Sequence, residues 1–519
     1  MKRLILALLS LTLGMTAAQA ADPIARKRLR VMSACSGCDL SDLEMPLASL
    51  ARADLRDAVL VRANLANATL TKANLSGAKA RDANLNGANL KFADLRNADF
   101  SGADLGNVDF TRANLSRAIF AGANLSRSDF AGADLSRGDL ATANLDGASL
   151  VKTRLNRARL VGASLRRANL ETADLTEADL AGAILDEAVL RRARLNGATL
   201  DGAHLNGSDL ERADLTRASL KKVQLIGAIL TRARLNGVDF TAANLTDANL
   251  GGVIMERARL DGAILAGATL TGARMSRASL RGADLSNSYL TKADLRDTDM
   301  RKAKLVGADL NRANLAGAKL KRAKLKGAVL TGATLEGAEF AGADLRDVDL
   351  TGGRLDKANF AGARLNGAKL ANVRLGKANL TGADLRGVDL SRAAMTYSIF
   401  KKANLAKAQL GGADLYGARF AGANLSGADL SRVRLQRGDL AGANLRGADL
   451  SGSDLSLVSF KGADLTGASL VKARMNTNDF TDANLTGAEF GWPENDAYAA
   501  IYCNTTMPDG SVLNDGCPK

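Results

Sequence analysis

Residues 121–150 read AGANL SRSDF AGADL SRGDL ATANL DGASL. A large apolar residue closes each group of five, at Leu125, Phe130, Leu135, Leu140, Leu145 and Leu150, and a small residue sits two places earlier. The same register runs from about residue 36 to residue 490. Every position divisible by five from Leu85 to Phe490 is Leu, Phe or Met, and Ala80 is the single lapse after Leu40. The small position is usually Ala, as at Ala93, Ala123 and Ala443. Exceptions include Val108, Ser128, Thr298 and Gly438, and larger residues (Cys38, Leu43, Asn478) lie near the ends of the array. A period of five is neither that of an amphipathic helix nor that of a strand. A helix would spread these leucines around its circumference, and a strand would send alternate ones to opposite faces. A chain that bends once every five residues keeps the leucine and the small residue inside and turns the other three to water.

The block A-(D/N)-L-x-x resembles the pentapeptide repeat family, and the likeness covers residues 36–490 in more than eighty tandem copies. The resemblance implies an all-β fold, a right-handed quadrilateral β-helix (a solenoid) with four pentapeptides per coil. The distribution of large residues supports a twenty-residue coil independently. Of twelve array phenylalanines, nine (100, 120, 240, 340, 360, 400, 420, 460 and 480) fall in one column of period twenty, and Phe110, Phe130 and Phe490 fall in the opposite one. Met255, Met275, Met395 and Met475 share a third column, and only Met300 departs. A narrow closed core confines its largest side chains to chosen walls in this way. Residues 51–490 would give about 22 coils, and at ~4.8 Å per coil a rod on the order of 105 Å. The expected organisation is a signal peptide at 1–20, an N-terminal cap with irregular first repeats at 21–50, the β-helix at 51–490 and a C-terminal cap at 491–519.

The export reading rests on Lys2 and Arg3, the apolar run from Leu4 to Leu13, and Ala18-Gln19-Ala20 as a cleavage site. The run is too short to span a bilayer. No Cys follows Ala20, which argues against a lipid anchor there, and no transmembrane segment is expected in the mature chain. Periplasmic or extracellular localisation follows. Aromatic residues make up 4% of a 519-residue chain with a formal charge of +15. Regular apolar spacing at 46% hydrophobic content excludes disorder. The basic balance admits anionic lipid, acidic polysaccharide or nucleic acid as partners without selecting one.

All four cysteines, Cys35, Cys38, Cys503 and Cys517, flank the regular array. In an oxidising compartment they suggest stapled caps. Three pairings are possible, and the local one (Cys35–Cys38, Cys503–Cys517) is the most economical for a rod with distant ends. Cys35-Ser36-Gly37-Cys38 would need a helix N-terminus to work as a redox pair, and no helix is expected nearby. The stretch Arg26–Arg30 is expected to lie across the first coil. At the other end Trp492 is expected to cover the last coil, and Pro508-Asp509-Gly510 to turn a loop closed by Cys503 and Cys517.

Catalytic chemistry finds no foothold. His204 is the only histidine and lies in an outward position, so a triad or histidine metal site is not available. No phosphate loop or nucleophile elbow occurs. No catalytic residue, metal site or cofactor is therefore expected. One outward column carries Arg52, Lys72, Arg112, Lys152, Arg192, Arg212, Arg232, Lys292, Arg312, Arg392, Arg432 and Lys472, with no acid at the same positions. Three residues earlier runs an acidic column that includes Asp109, Asp129, Asp209, Asp309, Asp349, Asp389, Asp429 and Asp449, and the two are expected to pair as ion-pair ladders. The densest basic stretch holds Arg301, Lys302, Lys304, Arg312, Lys319, Lys321, Arg322, Lys324 and Lys326 against one acid, Asp309. The expected function is a non-catalytic structural or protein-interaction scaffold of the cell envelope, partner unknown. The alternative is a binding module for an anionic surface (lipid headgroups, lipopolysaccharide or acidic glycan) through that patch. Some pentapeptide-repeat proteins mimic DNA and bind gyrase, but a basic, exported chain does not fit that role, and no specific nucleic acid is expected.

Overall fold

A computed structural model describes residues 22–491 and 499–517. The signal peptide expected at 1–20 and the cover expected from Trp492 lie outside the described residues. The chain forms two compact units, ending and beginning at Gln224 and Leu225.

In the first unit, one pentapeptide shows how the coil closes. Residues 123–127 carry five backbone N–H groups, and each finds an acceptor. The Ala123 N–H donates to the carbonyl of Phe120 at 3.0 Å and so closes a turn. Asn124 donates back one coil to Ala103, while Leu125 and Arg127 donate forward to Asn144 and Asp146. The fifth donor, on Ser126, is met by the Asn124 side chain at 3.2 Å. Three contacts to neighbouring coils, one turn bond and one side-chain cap thus satisfy every donor, which a buried backbone requires. Each such turn places its third residue in the left-handed conformation that a type II turn demands: Gly122 at φ 67° here, and Arg127 at φ 57° in the next turn, which Ser128 closes on Leu125. Glycine takes that conformation freely, which accounts for Gly at many of these corners.

Parallel bridges join residues twenty apart throughout this unit, from Ala34↔Asp54 to His204↔Gln224. Four walls per coil follow. Leucines and phenylalanines at the centres are fully buried, as are the alanines two places before them. Phe100 stacks on Phe120 with ring centroids 5.5 Å apart, and Phe110 on Phe130 at 4.8 Å. Hydroxyls in the alanine position are buried but bonded. Ser128 donates to the Leu105 carbonyl and accepts from the Val108 N–H.

Among its described residues the first unit opens on a helix, α1 (Pro23–Met32), which corrects the expectation that no helix lies near Cys35. Asp22 caps it through the Ile24 N–H, Pro23 occupies the first turn, and Ser33 ends it in the left-handed conformation. Its buried face is narrow, consisting of Ala25 and Leu29.

The second unit repeats the architecture, with bridges from Ile229↔Asn249 to Ser469↔Glu489. Phe340–Phe360, Phe400–Phe420 and Phe460–Phe480 stack at 4.9, 4.6 and 4.9 Å. After Phe490 a hairpin replaces the coil. Strand β1 (Tyr502–Thr506) pairs antiparallel with β2 (Val512–Asp515). It also continues the helix wall through Asp479↔Ile501 and Asn484↔Thr506, a step of 22 residues that absorbs a two-residue insertion. Tyr502 extends the aromatic stack from Phe480 at 5.5 Å.

Candidate functional site

The four cysteines form two bridges, Cys35–Cys38 and Cys503–Cys517. Cys35 is fully buried and follows α1 by three residues, its sulfur 3.5 Å from the carbonyl of Ala25 in the first turn of that helix. The group against this sulfur is a carbonyl oxygen, which offers no positive charge of the kind that stabilises a thiolate in a reactive pair. Cys503–Cys517 ties the start of β1 to the end of β2 across a separation of 14 residues. His204 is exposed in its outward position beside Ile184 and Gln224. Among the described residues no group of three or more His, Cys, Asp or Glu is placed to hold a metal, and no helix is long and apolar enough to cross a membrane.

Nearly all the basic patch of the second unit comes together. Lys302 and Lys321 meet through their backbones at one corner, and Lys304 bridges Lys324 on the adjoining wall. Arg301, Lys319, Arg322 and Lys326 join them, and all eight are exposed. Arg312 does not belong to this group: its repeat, centred on Leu310, lies half a coil away on the opposite wall. Within the patch Arg301 is bound by Asp299 at 2.6 Å and Lys304 by Asp284 at 3.1 Å. Hydrogen bonds from Arg301, and also from Arg281, hold the Asp299 carboxyl well below the usual carboxylate range, against the opposing effect of burial. Among the described residues Lys302, Lys319, Lys321, Arg322, Lys324 and Lys326 form no ion pair.

The expected ion-pair ladders are not formed. Each Asp or Asn before a centre turns toward its own corner, where it caps the N–H two residues on. In several of the aspartates the carboxylate also meets a cation two, eighteen or twenty residues away, as in Arg96–Asp94, Lys91–Asp109 and Arg154–Asp134. No described pair spans three residues. The basic column sits at the positive-φ corner, which aims its side chains away from the aspartates three places earlier. Of its twelve members only Arg212 has an ion pair among the described residues, with Glu211 at 3.6 Å.

A second capping device, unforeseen from the sequence, completes the corners. Where the residue before the centre is not Asp or Asn, an Asp or Asn one coil earlier can replace it. Asp146 caps the Arg166 N–H at 2.9 Å because Ser164 cannot, and Asp356 caps Gly376 at 3.0 Å because position 374 is Arg. The signal was legible as an Asp just after a centre followed, eighteen residues on, by a non-Asx residue.

The profile of the Pentapeptide repeats family matches residues 48–492 in overlapping segments that leave out only positions 353 and 397. No curated protein sequence matches the chain. Among solved structures, HetL, a pentapeptide repeat protein involved in heterocyst differentiation regulation from Nostoc sp. strain PCC 7120, is 33% identical over 50% of this chain and 92% of its own, with a TM-score of 0.18. A pentapeptide repeat protein of the Arabidopsis thaliana thylakoid lumen is 40% identical over 20% of this chain and 70% of its own, with a TM-score of 0.14. QnrB1, a plasmid-mediated fluoroquinolone resistance protein, is 18% identical over 34% and 91%, with a TM-score of 0.22. Family profile and coil geometry agree: the chain belongs to the pentapeptide repeat family, whose fold is the right-handed quadrilateral β-helix.

Proposed function

We propose that this protein is an exported, non-catalytic scaffold of the cell envelope, which holds its outward columns ready for another envelope component. In this reading residues 1–20 are removed after Ala20, 21–50 and 491–519 form the caps, and 51–490 wind into about 22 coils. The supporting observation is that all four cysteines are joined in two cap disulfides, a usage suited to an oxidising compartment. Fractionation followed by N-terminal sequencing tests it. A chain beginning at Ala21 in the periplasm or medium is expected, and a cytosolic chain that retains Met1 and reduced thiols would contradict it. Chemical crosslinking in envelope fractions should then trap a partner. Mimicry of a DNA duplex gains no support from a chain with a formal charge of +15.

A second reading is favoured by the Arg301–Lys326 patch, where six exposed cations without ion pairs crowd one corner and its neighbouring wall. Such a patch suits an anionic surface, whether lipid headgroup, lipopolysaccharide or acidic glycan. Replacing Lys321, Arg322 and Lys324 by Glu should weaken binding to anionic vesicles or lipopolysaccharide about tenfold or more, and added salt should do the same. Binding indifferent to both changes would remove this reading.

A further inference from the structure

Arg52, Lys72, Arg112, Lys152, Arg192 and Arg212 occupy the same corner of the first unit in six of nine consecutive coils, the other three holding Phe92, Gly132 and Thr172. Each of these cations is exposed and each has a positive φ between 56° and 62°. An L-residue at such an angle is strained relative to glycine, so the row does not serve the backbone. Nor does it serve ion pairing, since only Arg212 is paired among the described residues. The carboxylates alongside are engaged elsewhere: Asp54 by Arg56, Asp94 by Arg96, Asp109 by Lys91, Asp134 by Arg154, Asp174 by Arg194 and Asp209 by Arg191. Asp129 and Glu171 also flank the row and leave it net positive. Between Lys72 and Arg112 stands Phe92, with a cation 6.0 Å from its ring centre on either side. The Arg112 stem runs over Gly132, where a methyl group would come within 3.6 Å of it, so the side chain is laid along the corner rather than splayed from it.

We propose that this corner binds a linear polyanion with one carboxylate per sugar, an acidic polysaccharide lying along the row. Coils spaced ~4.8 Å apart set the cations at one or two coil steps, a repeat of the same order as the length of one sugar in an extended chain. A single straight row of charge matches a line of charge, whereas a bilayer presents a plane. Single-stranded nucleic acid is bound largely by stacking successive bases on aromatic faces, and this row holds a single ring, Phe92, with a cation 6.0 Å from its centre from each neighbouring coil. The choice of glycan rests on the exported reading above.

The test uses the full chain with its disulfides intact and polygalacturonate as the probe, with single-stranded DNA and phosphatidylglycerol vesicles as parallel arms. Glycine suits the corner conformation, so Arg112→Gly, Lys152→Gly and Arg192→Gly together remove half of the row's six cations without straining the fold. Arg117→Gly, Arg137→Gly and Arg217→Gly, at positive-φ sites on another corner, remove the same charge. Salt-sensitive binding of polygalacturonate is expected, with a loss of about tenfold or more in the first variant and about twofold or less in the second. Equal losses in both variants, no binding by the unaltered protein, or tighter binding of DNA or vesicles through the same three residues would overturn the proposal. Because the assay uses purified protein, a cytosolic location would sink the export reading without touching this result. Absent binding by an exported chain would sink this proposal alone.

Discussion

At the scale of the residue, the five positions of the repeat divide the labour of satisfying and burying the chain. The centre and the small residue fill the core, and their roles were plain in the sequence because burial leaves a periodic apolar trace. The Asp or Asn before the centre, which sequence alone assigns to solvent and to ion pairs, supplies the acceptor for the one backbone donor that neither a coil contact nor the turn bond reaches. Asp179 shows this in isolation, accepting from the Ala181 N–H at 3.1 Å with no ion pair of its own among the described residues. Asp179→Ala should therefore cost about 1 kcal/mol in urea unfolding. Leu175→Ala, at a fully buried centre, should cost about 2–5 kcal/mol. Arg112→Gly should be neutral or stabilising by up to about 1 kcal/mol, the opposite of what glycine does in a helix or strand. The corner's positive φ was hidden because Gly, Arg, Lys, Asp and Asn all occur there. Only the alternation of Gly with polar residues two places after each centre pointed to it.

At the scale of the element, the caps departed most from expectation. Helix α1 was missed because it buries only Ala25 and Leu29 while Ile24, Val31 and Met32 stay exposed, so its apolar residues mark no single helical face among the four basic ones. The Asp22-Pro23 pair was the available signal, a cap residue followed by proline at the first turn. At the other end the turn at Pro508-Asp509-Gly510 was legible from turn chemistry alone, but the two-residue insertion that seats β1 on the last coil was not, since it depends on pairing with residues 479–484. Opening the Cys503–Cys517 bridge, by reduction or by Cys503→Ala with Cys517→Ala, should destabilise the hairpin by about 3 kcal/mol for a loop of this length. Hydrogen exchange should then quicken at 502–515 while protection of the regular coils holds. Loss of protection throughout the second unit would show that the hairpin is needed to hold the coils.

At the scale of the whole molecule, charges pair both within one corner, as in Asp94–Arg96, and between neighbouring coils, as in Asp109–Lys91. Which acids pair with which cations follows from separations of two, eighteen and twenty, and this could not be read while the corner's direction was unknown. The pH response follows from those pairs. Hydrogen bonds from Arg56, Arg96, Arg296, Arg346 and Arg386 hold Asp54, Asp94, Asp294, Asp344 and Asp384 below the ordinary carboxylate value, with burial working partly against them. Each such group binds fewer protons folded than unfolded, so its contribution is complete above about pH 4 and is lost as the pH falls toward the folded value. The thermal midpoint should accordingly be flat from pH 7 to about 5 and fall below about 4. A midpoint that rose on acidification would contradict the pairing. Function was the least legible property, because a repeat that solves its own backbone so uniformly leaves few residues whose presence needs another explanation. The unpaired corner cations are such residues.

The claim beneath all of this is that residues twenty apart stack and residues ten apart face opposite ways. Thr199 bridges Ser219 directly, whereas Asp209 lies half a coil from both. Nitroxide labels on Thr199→Cys and Ser219→Cys should show strong spin exchange in their electron paramagnetic resonance spectrum, and labels on Thr199→Cys and Asp209→Cys should not. Weak coupling in the first pair, or equal coupling in both, would contradict the four-sided coil.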